Sequence, residues 1–303
     1  MADLAVARAA DVVVLSTATP GGGFPAYGEA FAQTIREVDA TLDVQPRNST
    51  GSVENVALLE SGTVDLGLVQ GEVAYEAFNG IGRAPSEKLR IIAAMYATPG
   101  MFVVRANAPF RRIQDLKGQA VAFGARGSGL VLLARYVLKG LGLDADRDFK
   151  AVYLERAGDG PAMVQDGRVA ALWGAGLGWP GFTVLANGPG GARFIAPDDE
   201  EISAVIAKAP FLRRLTIPAG SYAGQDRAIQ SVGSWSFVLA RASLPNDIAY
   251  RLAQALHRGE GALAGRLPQA RETTAANTVA AAPRTDLIHP GTRRYLQEIG
   301  LVK

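Results

Sequence analysis

Short apolar runs in this chain alternate with segments whose apolar residues recur at helical spacing. Val12–Leu15 is a β-branched run suited to a buried parallel strand. After the glycine-rich Ser16–Gly23, residues Tyr27, Phe31, Ile35 and Val38 fall on one helical face and predict a helix over Tyr27–Val38. Leu42–Gln45 predicts a second strand. Ser52, Asn55, Val56, Leu58 and Leu59 predict a helix from about Ser52, stopping at Ser61-Gly62 where glycine supplies left-handed backbone. Val64–Val69 is the third strand.

The plan then recurs. Ala120–Phe123 is a strand, Gly124–Gly129 a glycine-rich turn, and Leu130–Lys139 a helix stopped by Gly140. Ala151–Leu154 is a strand, Gly160-Pro161 opens a helix ending at Asp166-Gly167, and Val169–Trp173 closes the unit. Leu59–Leu68 and Val164–Leu172 share a helix–Gly–x–Val–strand pattern at similar distances from the start of each unit, as duplicated units do. Strands alternating with helices imply parallel sheets covered on both faces. The predicted fold class is therefore α/β, with two Rossmann-like lobes of mostly parallel sheet joined by two hinge strands.

Between the units, Arg90–Tyr96 and Met101–Arg105 read as strands joined by Thr98-Pro-Gly100, and Ser234–Ala240 reads as a further strand. Met101–Arg105 and Ser234–Ala240 are the expected crossings between lobes. Lobe I then takes residues 1–100 and a return segment 235–303 that includes the helix Pro245–His257, and lobe II takes residues 101–234. Two lobes on two strands make a hinge with a cleft.

Composition narrows the chemistry. The chain has 303 residues, 48% hydrophobic and 20% charged, a normal globular balance with length enough for two domains. Its formal net charge is +2 with acids and bases interspersed, so no nucleic-acid face is expected. It has no cysteine, and its histidines, His257 and His289, are far apart, so disulfides, thiolate catalysis, a metal site and a cofactor are not expected. No apolar stretch is long enough to span a bilayer. Met1–Ala10 lacks the basic and long apolar regions of a signal peptide. If the protein is exported, Met1 replaces that signal, and the compartment follows only from function.

Ligands of open parallel sheets bind beyond the carboxyl ends of the strands. Thr19–Tyr27, Thr50–Asn55, Gln70–Glu72 and Gly124–Gly129 fall there. Three of these stretches precede helix starts, whose free N–H groups and partial positive charge favour an anion. Ser52 and Ser128 add hydroxyls that either cap their own helices, the favoured reading, or donate to a ligand. Arg126 is the most attractive fixed charge for a carboxylate, with a plain surface arginine as its alternative, and Arg47 is a second choice. Phe24, Tyr27, Trp173 and Trp179 are candidate apolar walls; Tyr27 also fits the inner face of its helix, and Trp173, at a strand end, is assigned to the cleft. Gly124–Gly129 has neither the dinucleotide-binding glycine order nor a following Gly-Lys-Ser/Thr, and Ser128 has no histidine base in view, so no catalytic residue is assigned. His289, before Pro290-Gly291, is expected to structure a turn.

These motifs resemble, in order and over nearly the whole chain, the TAXI family of solute-binding subunits of TRAP transporters. The pieces that carry the resemblance are Gly51-Ser-Val-Glu-Asn55, Ser61–Gln70 with Tyr75-Glu-Ala77, Asp115–Gly118, Gly127-Ser-Gly129 and His289-Pro-Gly291. The resemblance implies a type II periplasmic-binding-protein fold, a periplasmic location and delivery of a captured solute to a TRAP-type membrane permease. Family ligands are typically organic anions or amino acids such as glutamate and 2-oxoglutarate. By position, contacts would come from Gly22, Gly23 and Phe24, from Gly51, Ser52 and Asn55, from Gln70, and from Gly127, Ser128 and Gly129. The chain departs from the family where Gly23-Phe-Pro25 replaces Thr-Tyr-Tyr, Leu130 replaces Thr, and Ala170 replaces Asp. The expected ligand is thus a carboxylate or amino acid with an apolar part. The alternatives are an enzyme on the same bi-lobed scaffold and a ligand-sensing module for a membrane receptor.

Overall fold

In the computed structural model, which describes residues 10–303, the alternating pattern becomes two sheets that share one long strand. The reading of Met1–Ala10, except for Ala10 itself, falls outside the described residues. The first unit runs β1 (Asp11–Ser16), α1 (Gly23–Val38), β2 (Leu42–Arg47), α2 (Ser52–Ser61), β3 (Leu66–Val69), α3 (Gly71–Asn79) and the long β4 (Leu89–Arg105). The second runs β5 (Ala120–Ala125), α4 (Gly129–Gly140), the one-turn α5 (Ala145–Asp148), β6 (Lys150–Leu154), α6 (Gly160–Gln165) and β7 (Ala171–Ala175). It continues through α7 (Pro180–Asn187), β8 (Ala192–Ile195), α8 (Asp199–Lys208) and β9 (Arg213–Ile217). β10 (Ile229–Arg241) then leads back to α9 (Asn246–Arg258), α10 (Glu260–Arg266), α11 (Ala275–Ala281) and α12 (Pro290–Glu298).

The strand order is β2-β1-β3-β10-β4-β7-β5-β6, with β8 on β4 and β9 on β10. Pairs within each repeated unit are parallel, β1 with β2 and β3, β5 with β6 and β7. The pairs made by β4 and β10 are antiparallel. This is the α/β fold of two Rossmann-like lobes joined by two strands. Helices cover both faces of each sheet, and the predicted inner face of α1 is fully buried at Tyr27, Phe31 and Ile35.

The hinge differs from the sequence reading. Arg90–Tyr96 and Met101–Arg105 are not separate strands around a turn; both belong to β4, with Thr98-Pro-Gly100 in its middle. β4 pairs with β10 from Leu89 to Pro99, then enters the second sheet, where Gly100–Val103 pair with β7 and Phe102–Arg105 with β8. Met101–Arg105 is therefore inside the second sheet, and the crossing lies at Thr98–Gly100. Its partner is the start of the predicted Ser234–Ala240 run: Gly233, Ser234 and Trp235 face Pro99, Thr98 and Ala97, and a bulge follows at Trp235/Phe237. Proline fits here because the ladder changes partners at this point.

Candidate ligand cavity

The starts of α1, α2 and α4 converge on one space between the lobes. Gly22 and Gly51 are the N-caps of α1 and α2, and Ser128 is the N-cap of α4. The space is about 50 Å³, several times the roughly 10–15 Å³ that one water needs. Gly22, Gly23, Phe24, Gly51, Ser52, Gln70, Ser128, Gly129 and Trp179 line it, so nine of the residues singled out from sequence come together.

The lobes touch directly around this space. Ala157 donates its N–H to Thr19 Oγ1 at 3.2 Å, Gly158 donates to Pro20 O at 3.3 Å, and Val53 donates to Gly127 O at 3.3 Å. Farther out, Tyr136 donates to Glu76 Oε1 at 2.8 Å. Glycine makes two further close approaches feasible. A Cβ on Gly51 would lie 3.0 Å from Ser128 Cα, and one on Gly129 would fall inside the van der Waals shell of Gln70 Cβ. The arrangement is a closed one.

Two polar side-chain atoms at the cavity, Gln70 Nε2 and Ser128 Oγ, have no hydrogen-bond partner. Gln70 is 4% exposed. Ser52 is buried; its Oγ accepts the Gln70 N–H at 3.0 Å, which leaves its own proton free for a ligand. Neither serine caps its helix by a side-chain bond, which overturns the favoured sequence reading and frees both hydroxyls. Tyr96 also lines the space, and burial pushes its phenol far above the ordinary range, so it remains protonated. The remaining walls are apolar, from Phe24, Leu130, Ala125, Ala157, Ala175 and Trp179.

Six residues considered for the ligand from sequence do not line this space. Arg126 is exposed and its guanidinium sits over the Tyr153 ring, 5.2 Å from the centroid, so it supplies no charge to the cavity. Arg47 is exposed as well. Trp173 is fully buried because β7 continues two residues beyond it; its Nε1 donates to Leu130 O at 2.9 Å, so it supports the wall from behind, and Ala175 is the residue that reaches the space. Tyr27 packs in the core against Phe31 and Tyr96. Gly127 contributes its carbonyl to the contact with Val53. Asn55 is a clamp: its Nδ2 donates to Thr17 O and Leu68 O, each at 2.7 Å, and its Oδ1 accepts from Ser16 Oγ at 2.5 Å. These bonds tie the ends of β1 and β3 to α2 and so fix Gly51 and Ser52. Asn55→Ala removes three buried hydrogen bonds, of whose partners only Thr17 O keeps a second side-chain bond, from Ser49 Oγ, and calorimetry is expected to show a loss of about 3 kcal/mol in stability.

Sequence reading missed Ala18, Tyr96, Thr98, Ala157 and Ala175 as lining residues. Thr98 lies where the sequence looked like a turn and Tyr96 at the end of the predicted strand before it, and a lone alanine carries no signal. The histidines sit apart from the cavity. His257 Nδ1 pairs with Tyr295 Oη at 2.8 Å. His289 does structure a turn: its Nδ1 accepts from Gly291 N at 3.2 Å and its Nε2 lies 3.0 Å from Leu244 O, at the N-cap of α12. Burial lowers its pKa to about 4, so the ring is neutral.

Two α/β lobes, two connecting strands and a cavity between helix N-termini define the type II periplasmic-binding-protein class. Within it, the chain belongs to the NMT1-like family, with the match running over residues 15–300. Among solved structures it is similar to the periplasmic aliphatic sulphonate binding protein SsuA from Escherichia coli, at 21% identity and a TM-score of 0.52, covering 95% of this chain and 83% of that one. A protein from Bordetella bronchiseptica RB50 has a TM-score of 0.60 at 14% identity, covering 95% and 98%. A TctC solute binding protein from Polaromonas has a TM-score of 0.52 at 17% identity, covering 95% and 97%. At these identities the likeness is one of fold. Among the described residues, no helix is long and apolar enough to cross a membrane, and no group of three or more His, Cys, Asp or Glu is placed to hold a metal ion.

Proposed function

We propose that this protein is an extracytoplasmic solute-binding protein that captures a small organic ligand by closing its lobes, and that it serves a TRAP-type permease of the TAXI branch. The observation that carries the reading is the cavity where three helix N-termini and the unpartnered Gln70 and Ser128 meet between lobes in direct contact. Buried donors without acceptors each cost about 1–3 kcal/mol, and a ligand that accepts from them recovers that energy only when the lobes are shut. Closure is thereby coupled to occupancy. The lobe division follows the crossings: residues up to about 98 with the return segment after about 235, against the residues between.

The TAXI assignment rests on the ordered motifs around Gly51–Asn55, Ser61–Gln70 and Gly127–Gly129, within the NMT1-like match. The periplasmic location rests on the kind of protein the fold neighbours are. Capture without turnover agrees with the cavity, where Ser128 Oγ has no base beside it and both histidines are engaged elsewhere.

The test is small-angle scattering and a melting curve on protein unfolded and refolded to strip retained solute, with the solute then identified by native mass spectrometry and added back. Addition is expected to reduce the radius of gyration and raise Tm by several degrees. Chemical conversion of the solute, or binding with no change in radius, would sink the proposal.

A further inference from the structure

We infer that a latch between α3 and α4, outside the cavity, helps hold the lobes shut and so sets solute affinity without touching what is bound. The inference rests on the solute-binding reading above and adds to it residues that act through lobe closure. The latch consists of Tyr75 and Glu76 on α3, in the first lobe, and of Tyr136 on α4 with Phe211 between α8 and β9, in the second. None of the four lines the cavity.

Helical spacing accounts for the latch. Leu133, Ala134, Val137 and Leu138 turn into the core of the second lobe. Gly129, Leu132 and Tyr136, at i, i+3 and i+7, share a different face of α4. Each of these three meets the first lobe. Gly129 abuts Gln70, Leu132 packs on the cluster that contains Val73 and Phe78, and Tyr136 donates to Glu76 Oε1 at 2.8 Å. α3 and α4 therefore run side by side away from the cavity, and Glu76 lies ~9 Å along α3 from Gln70 at the helical rise per residue. Beside the hydrogen bond, the Tyr75 ring stacks on Phe211, with centroids 4.1 Å apart and planes at 15°. Tyr136 meets the same Phe211 edge-on at 5.0 Å.

These contacts are short-ranged. A stacked ring pair and a hydrogen bond are both lost once the partners separate by a few ångströms. The lobes are joined through β4 and β10, so opening about that crossing parts α3 from α4. Burial and the adjoining Glu76 carboxylate raise the Tyr136 pKa, so the hydroxyl keeps the proton it donates. The latch therefore favours the shut form whatever the cavity holds. A solute that binds the shut form gains affinity in proportion to the population of that form. Weakening the latch lowers the affinity of every such solute by one common factor.

Tyr136→Phe removes the bond to Glu76 and keeps the ring, and Tyr75→Ala removes the stack. Both are compared with wild type using the solute retained by freshly purified protein, identified by native mass spectrometry. Affinity is read by calorimetric titration of stripped protein, and dissociation by stopped-flow tryptophan fluorescence, with Trp179 at the cavity wall as reporter. The expected loss of affinity is about fivefold for Tyr136→Phe and about tenfold for Tyr75→Ala, carried by faster dissociation. Glu76→Gln keeps an acceptor for Tyr136 and is expected to lose less than Tyr136→Phe. Stripped variants, with the lobes apart, are expected to melt as stripped wild type does. Wild-type affinity and dissociation in both variants overturn the latch and leave solute capture standing. So does a loss of affinity matched by an equal loss of stability in the stripped protein. If freshly purified wild type holds no solute, the solute-binding reading fails and the latch with it.

Discussion

Replacing Gly129 with alanine is expected to weaken ligand binding by about a hundredfold, the equivalent of roughly 3 kcal/mol, while both lobes stay folded. Gly129 opens α4 and is absent from the positive-φ glycines, so alanine suits its backbone and favours the helix. The obstacle is in the other lobe. A methyl group at Gly129 would overlap Gln70 Cβ, and Gln70 is held by its N–H bond to Ser52 Oγ and by the Ala74 N–H on its carbonyl. The contact cannot relax by rotating a flexible tip, because the overlap is at Cβ, so the lobes must part. Overpacking of this kind costs about 1–3 kcal/mol. In the open form no such contact exists, so the cost falls on the closed state alone and appears as lost affinity. Calorimetric titration with the retained solute checks the loss, and the melting curve of the stripped variant checks the fold. Wild-type affinity in Gly129→Ala would show that ligand binding does not need the closed contact seen here.

What the sequence made legible follows from how each residue signals. Gly51 and Gly129 stand out because a strand, a glycine turn and a helix occur in that order, and backbone rules place such turns at the cleft. Asn55 was assigned to the ligand and instead holds the Thr17 and Leu68 carbonyls; nothing in a sequence tells a carboxamide that does the one from a carboxamide that does the other. Trp173 was misplaced by two residues of strand length, since β7 ends at Ala175. Side chains alternate along a strand, so Ala175 shares the face of Trp173 but is the one at the rim. Thr98-Pro-Gly100 carries the strongest local turn signal in its region, yet the pairing of β4 with β10 on one side and β7 on the other keeps it extended. Tertiary pairing outweighed local preference there, and with it went Tyr96 and Thr98. Arg126 shows the same limit for charge: its position in a cleft loop was readable, but the direction of its side chain is set by Tyr153, remote in sequence.

The second large effect is one of pH and concerns Glu72, behind the cavity. Glu72 is fully buried in the first turn of α3; its Oε1 accepts from Ser234 Oγ at 2.7 Å, and its Oε2 has no partner. Burial raises its pKa from 4.5 to about 7, and the negative charge of Glu76 one turn along α3 pushes the same way. The bond from Ser234, on β10, opposes the rise without cancelling it. Between about pH 4.5 and 7 the native protein keeps this proton while the unfolded chain has lost it. Native protein then binds more protons than unfolded, so stability falls as pH rises across that window. The full loss from this group is on the order of 3 kcal/mol above pH 7. Glu72→Gln keeps an acceptor for Ser234 and cannot ionise, so denaturant unfolding is expected to give similar stabilities for variant and wild type at pH 5 and a clearly more stable variant at pH 8. Parallel pH curves would refute the assignment. Gln70 both adjoins Glu72 and lines the ligand space, so ionised Glu72 places a negative charge one side chain behind a bound anion. Affinity for an anionic solute is accordingly expected to fall over the same interval in the wild type and to stay flat in Glu72→Gln. That links the burial of this carboxyl group, beside the strand crossing at Ser234, to what the cavity can hold.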